Sequence, residues 1–134
     1  MNSRYIIFAD DDADDLELIT GFFKQYNKNT NVLVFRDGKE VIQYLDDFAR
    51  SAVKPLLIVL DINMPRLNGR ETLAAIRKNQ HYKNIPVVIY TTTITESDKH
   101  FYEKHGASWV PKSTNIEGVK QTARILADFC SSNK

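Results

Sequence analysis

Four places in the sequence carry side chains able to do chemistry: the run Asp10-Asp11-Asp12, the acid Asp61, the pair Thr91-Thr92, and Lys112. Each follows a short apolar run. Carboxylates gathered within a few ångströms repel one another, and the repulsion raises a pKa unless a cation is held among them. Oxygen donors with no His or Cys beside them favour a hard divalent ion. A site with few protein ligands suits magnesium, which keeps several waters and accepts phosphate oxygens. A carboxylate so placed can itself act as a nucleophile and form an acyl phosphate, provided the incoming charge is neutralised and aligned. The metal, Lys112 and Thr91 together are suited to that task, by positioning and electrostatics, with no separate strong base.

Taken singly these residues say little. An Asp after a strand is most often a helix cap, Thr favours strands because it is β-branched, and a lone lysine is most often solvated. Their weight comes from standing in chain order at what should be one edge of one sheet.

The elements that must position them are five apolar runs: Tyr5 to Ala9, Val32 to Phe35, Leu56 to Leu60, Val87 to Tyr90, and the weaker Trp109-Val110. The first four are continuous and do not alternate, as expected of strands covered on both faces. Between them lie residues at helical spacing: Leu16, Ile19, Phe23 and Tyr26; Val41, Ile42, Leu45 and Phe48; Leu73 and Ile76; Ile116, Val119, Ala123 and Leu126. Asp37 with Glu40, Thr95 with Asp98, and Thr114 with Glu117 have capping-box spacing. Strand and helix thus alternate five times, which predicts an α/β fold: a doubly wound five-stranded parallel sheet with helices on both faces. Asn79 to Pro86 is the longest polar connection, and Ser131 to Lys134 is expected to fray.

The 134 residues fit one domain, 1–134, with a core from about 4 to 130. A 43% hydrophobic and 26% charged composition excludes intrinsic disorder. A formal charge of +1 provides no global basic field for nucleic acid or acidic lipid. The single cysteine, Cys130, excludes an internal disulfide and reads as a small apolar residue on the last helix. The apolar run after Arg4 is too short for a signal segment or a membrane span, so a cytoplasmic location is expected.

From Tyr5 to Phe129 the chain resembles the receiver domains of two-component response regulators, of the chemotaxis type and in stand-alone form. The landmarks are Asp10-Asp11-Asp12, Leu60-Asp61-Ile62-Asn63-Met64-Pro65 with Gly69 beyond, Thr91-Thr92, and Lys112 after Gly106-Ala107-Ser108. The resemblance implies a (βα)5 flavodoxin-like topology with strand order 2-1-3-4-5. It implies that Asp61 is the phosphorylation site, that Asp11 and Asp61 ligate Mg2+ with the backbone carbonyl of Asn63, and that Asp10 acts through water. Lys112 would pair with the phosphoryl oxygens, Thr91 would turn toward them, and Trp109 would take the place of a family aromatic that swings inward with the threonine. The donor would be a sensor histidine kinase or a histidine phosphotransfer protein. The signal would pass through the face of helix four, strand five and helix five to a downstream protein.

The chain departs from the pattern after the lysine, where Ser113 stands in place of the usual proline and Pro111 precedes. A cis bond to serine costs about 3 kcal/mol, so this loop either runs trans along a different path or holds strain. The Asn68-Gly69 dipeptide is expected to turn the loop beyond Asp61.

Three other functions compete. A magnesium-dependent phosphohydrolase with an aspartyl nucleophile would carry a second acid two residues after it, where this chain has Asn63. A constitutive interaction module would keep the fold without modification. A flavin module would need a phosphate-cradling loop after the first strand, and three acids stand there.

Overall fold

The computed structural model describes residues 4–48 and 53–132. Along them alternate β1 (Tyr5–Ala9), α1 (Ala13–Tyr26), β2 (Asn31–Phe35), α2 (Gly38–Phe48), β3 (Leu57–Leu60), α3 (Gly69–Lys78), β4 (Val87–Thr91), α4 (Glu96–Lys104), β5 (Ser108–Pro111) and α5 (Ile116–Ser132). The strands form one parallel sheet in the order 2-1-3-4-5, as expected. The chain reverses its direction of winding between β1 and β3, so a crevice opens at their carboxyl ends. Ala9 pairs with Leu60, which makes Asp10 and Asp61 the next residues of adjacent strands.

Successive side chains of a strand point to opposite faces, and both faces are covered at β1, β3 and β4, whereas β2, expected to be covered as well, lies at the sheet edge and leaves Val34 45% exposed. Ile7, Ala9, Ile58, Leu60 and Ile89 join a core closed by Val41 and Leu45 of α2, Leu73 and Ile76 of α3, and Tyr102 of α4. Ile6, Phe8, Leu57, Val59 and Tyr90 join a second core with Leu16, Ile19 and Phe23 of α1 and Val119, Ala123 and Leu126 of α5. Each fully buried aliphatic or Phe side chain contributes roughly 1.5–3 kcal/mol. Cys130 belongs to the second core, and burial pushes its thiol up to about 11, so it fills space and is no nucleophile. No helix among the described residues is long and apolar enough to cross a membrane.

Several local expectations are corrected. Phe48 is 55% exposed, because at the end of α2 its ring packs on Tyr44 at 4.9 Å and not in the core. The Thr114–Glu117 box does not form. Asn115 Oδ1 accepts the Gly118 amide at 2.8 Å, so α5 starts one residue later and Ile116 is left outside the core. Asp37 accepts the Glu40 amide, but the Glu40 carboxylate accepts from the Arg36 amide, so that box is only half made. Thr95 and Asp98 form a complete box.

The Asn79 to Pro86 segment is more than a polar connection. Tyr82 and Ile85 are buried, and the Arg77 guanidinium donates to the carbonyls of Lys83, Ile85, His105 and Gly106, tying it to the end of α4. Gly106, at φ 65°, ends that helix in the left-handed conformation glycine adopts without strain. The tail expected to fray is helical through Ser132, and the Asn27 side chain donates to Ser131 Oγ at 3.2 Å. Residues 133–134 lie outside the described residues.

Candidate functional site

Parallel pairing carries the chemically capable residues to one edge of the sheet. The Asp10 amide donates to the Phe35 carbonyl at 3.1 Å and the Asp61 amide to the Ala9 carbonyl at 2.9 Å, so both acids continue the sheet's bonding pattern past the strand ends. The Lys112 amide donates to the Thr91 carbonyl at 2.8 Å in the same way. β5 lies at the sheet edge, where a strand tolerates proline, and this accommodates Pro111 immediately before the lysine. No cis peptide bond occurs among the described residues, so the bond from Lys112 to Ser113 is trans.

From the end of β5 the Lys112 side chain crosses the ends of β4 and β3. Its ammonium stands 2.6 Å from Asp10, 2.8 Å from Asp15 and 3.7 Å from Asp61. Burial alone lowers a lysine pKa, but the hydrogen bonds to Asp10 and Asp15 and the field of Asp61 outweigh it and leave Lys112 raised. Burial pushes Asp10 up to about 6, with the Asp61 charge adding to it, against the lowering effect of Lys112 and of the Asp12 amide. Asp10 is therefore still ionised at pH 7, and the lysine is held by charge-assisted bonds.

Thr91 is fully buried at the end of β4, and its hydroxyl has no hydrogen-bond partner among the described residues. Such a donor normally costs free energy; here it is free for an acceptor arriving at the strand end. Trp109 pairs with Ile89 on β5, is half-buried, and lies 6.0 Å from the Tyr102 ring. Of the other aromatics near that face, Tyr90 and Tyr102 are core residues, while Phe101 is partly buried with Arg70 over its ring at 4.3 Å.

The acidic run divides. Asp10 turns inward to Lys112, Asp11 is exposed, and Asp12 caps α1 by accepting the Asp15 amide at 3.1 Å. Asn63 is exposed in the loop beyond Asp61. That loop turns at Arg66, at φ 64°, and not at Asn68-Gly69, because Asn68 is the N-cap of α3 in a complete capping box with Glu71. Gly69 is required for another reason: a Cβ there would lie 2.3 Å from the Asp61 carbonyl oxygen and 2.8 Å from Ile62 Cα. The first turn of α3 is thus pressed against the Asp61 backbone at the end of β3.

Sequence reasoning missed Asp15. An acid in the first turn of a helix reads as a cap or a dipole partner, and that reading conceals it. In a capping box the Asp15 carboxylate would accept the Asp12 amide, but that amide donates to Asp10 Oδ1 at 3.0 Å. Asp15 is thereby left to bind Lys112.

Three carboxylates, those of Asp10, Asp15 and Asp61, stand within 4 Å of one ammonium, and Asp11 follows Asp10 in the chain. No group of three or more His, Cys, Asp or Glu side chains among the described residues is arranged as a metal cage. An excess of carboxylate oxygens without a closed protein cage fits magnesium, which is held by one or two carboxylates and completes its shell with water and phosphate. It does not fit zinc.

A carboxylate, a buried lysine and an unpartnered hydroxyl at the ends of β3, β5 and β4 of a 2-1-3-4-5 sheet define a receiver domain. Residues 6–124 match the response regulator receiver domain family, and the chain belongs to it. It is 30% identical over 129 residues to response regulator Rcp1 of Synechocystis sp., an alignment covering 94% of this chain and 88% of that protein. The phosphorylated cyanobacterial phytochrome response regulator RcpA superposes with a TM-score of 0.87 at 30% identity, covering 98% of this chain and 96% of the other. An Mn2+-bound form of Rcp1 superposes with a TM-score of 0.83 at 28% identity, covering 94% and 93%.

Proposed function

We propose that this chain is a phosphorylation-dependent switch of a two-component phosphorelay, with Asp61 as the acceptor of a phosphoryl group from a histidine kinase or histidine phosphotransfer protein. The observation that carries this reading is the Lys112 ammonium, on a side chain only 8% exposed, which crosses the end of β4 to stand 3.7 Å from Asp61. An Asp61 oxygen attacks phosphorus, the P–N bond of the phosphohistidine breaks with its electron pair leaving on the imidazole, and a P–O bond forms. Lys112 neutralises the phosphoryl oxygens and the Thr91 hydroxyl donates to one of them. Asp11, Asp61 and the Asn63 carbonyl are the groups to hold Mg2+, with Asp10 acting through water. When bound, the ion supplies positive charge against the phosphoryl oxygens and fixes their orientation.

The modified Asp61 carries new acceptor oxygens and about one to two extra negative charges. As Thr91 moves toward them, Trp109 follows into the space it leaves, and the face of α4, β5 and α5 changes for a downstream protein. That a phosphorylated response regulator is among the solved structures similar to this one supports the reading. The chain is then a phospho-acceptor of the cytoplasm and not an enzyme with turnover. The phosphohydrolase alternative is weakened by Asn63, which is neutral where that chemistry requires an acid.

The test is incubation with acetyl phosphate and Mg2+ followed by intact mass. A single phosphate adduct, absent in Asp61→Ala, is expected. Continuous hydrolysis of phosphate esters would point to the phosphohydrolase, and an unmodified chain to the constitutive interaction module.

A further inference from the structure

Lys112 has three N–H donors. Two of them are engaged at hydrogen-bond distance by Asp10, at 2.6 Å, and Asp15, at 2.8 Å, whereas Asp61 stands 3.7 Å away. Asp10 is built into the sheet end, where its amide donates to the Phe35 carbonyl. Asp15 belongs to a different element, the first turn of α1, and its carboxylate is released from capping because the Asp12 amide is already bound to Asp10. Its side chain is 39% exposed, while that of Lys112 is 8% exposed, so Asp15 covers the ammonium from the solvent side.

On the proposed function above, we infer that Asp15 is a positioning residue, a restraining anchor that draws the Lys112 ammonium away from Asp61 until a phosphoryl group competes for it. Asp10, Asp15 and a phosphoryl group on Asp61 must share the single positive charge of one ammonium, and the weakest hold on it is that of the half-exposed Asp15. Phosphorylation therefore works against the Asp15 contact. The anchor tunes how stable the modified state is, and it couples α1 to events at the end of β5.

Beryllofluoride, a tetrahedral mimic of a phosphoryl group that attaches to a carboxylate, tests this through binding measured by 19F NMR with saturating Mg2+. Asp15→Asn keeps the size and the backbone bond to Asp12 but removes the charge. It should bind beryllofluoride about three- to fivefold more tightly than the parent protein, the range expected for a half-exposed ion pair. Asp15→Glu, which restores the carboxylate, should return the affinity to within about twofold of the parent. Asp15→Ser serves as a second neutral variant and should behave as Asp15→Asn. A double-mutant cycle of Asp15→Asn with Lys112→Met in urea, with chelator present, reports the pair without any ligand and should show favourable coupling.

Unchanged or weaker binding by both folded neutral variants overturns the anchor, as does zero coupling in the cycle. If the parent protein itself binds no beryllofluoride, the phosphoryl-acceptor reading fails and takes this inference with it. Binding by the parent with neutral variants no tighter removes the anchor alone.

Discussion

Lys112 places its ammonium 3.7 Å from an Asp61 carboxylate oxygen although the two residues leave strands separated in the sheet by β4. The contact closes a group in which Asp10 and Asp61, both buried, depend on one cation. Removing one partner of a buried pair leaves an uncompensated charge, which costs about 3 kcal/mol or more. In chelator, Lys112→Ala should lose about that much stability in urea denaturation. Magnesium should restore more stability to Lys112→Ala than it adds to the parent protein, because the ion replaces the missing charge. At about tenfold over its Kd it should add about 1.4 kcal/mol to the parent. Equal stability of the two proteins in chelator would show that Lys112 is not what compensates the carboxylates.

Gly69 ties the start of α3 to the backbone of Asp61. A methyl group there meets carbonyl and Cα atoms that belong to the sheet edge, not the end of a flexible side chain. Gly69→Ala should therefore cost about 1–3 kcal/mol and slow modification of Asp61 by acetyl phosphate as the strand end shifts. Gly21, in the middle of α1 with nothing within 4 Å of a Cβ, is the control. Gly21→Ala should gain roughly 0.5–1 kcal/mol from helix propensity and leave labelling unchanged. Thermal denaturation and labelling kinetics on the two variants separate backbone crowding from a general effect of adding a methyl.

How far the molecule can be read without coordinates depends on which physical signal each part carries. Unbroken apolar runs such as Leu57 to Leu60 announce a sheet buried on both faces, and residues placed directly after such runs, Asp10, Asp61 and Lys112, must share its carboxyl edge. Phe48 and Ile116 follow the helical period as well as Leu45 and Val119 do, yet they are exposed, since periodicity does not report where a helix begins or ends against its neighbours. The left-handed Arg66 carries no compositional mark, and the expected turn was assigned to the more conspicuous Asn-Gly pair. Asp15 was concealed by a local role that its position could have filled.

Asp98 gives the acid limb of stability a defined origin. Its carboxyl is held below the ordinary 3.8, first by the Thr95 backbone amide at 3.0 Å, with further help from the Thr95 hydroxyl and Arg70. A carboxylate whose folded pKa lies below its unfolded value binds fewer protons when folded in the interval between the two. Its contribution is therefore complete above about pH 4 and is lost as pH falls through the folded pKa. Asp98→Asn should be less stable than the parent by about 0.5–1 kcal/mol at pH 7. The difference should shrink as pH falls through the lowered pKa of the folded state. Urea denaturation at neutral and at acid pH checks this, and a gap of the same size at low pH would assign the loss to packing.

Thr91 separates the resting state from the modified one. Its hydroxyl is buried and unpartnered among the described residues, so in the unmodified protein it contributes desolvation cost without a compensating bond. Thr91→Val keeps the β-branched shape in β4 and removes that group, and should leave stability unchanged or raise it by up to about 1 kcal/mol. After modification of Asp61 the same hydroxyl is the donor that should move, with Trp109, half-buried beside Tyr102, responding to it. Trp109 is the only tryptophan, so its fluorescence reads the response directly. With acetyl phosphate and Mg2+ the parent should change its emission, and Thr91→Val should be modified to a similar extent yet keep its resting spectrum. If both proteins give the same fluorescence change at equal modification, the tryptophan responds to the phosphoryl group by a route that does not pass through Thr91, and the coupling between β4 and β5 has to be sought elsewhere along the sheet edge.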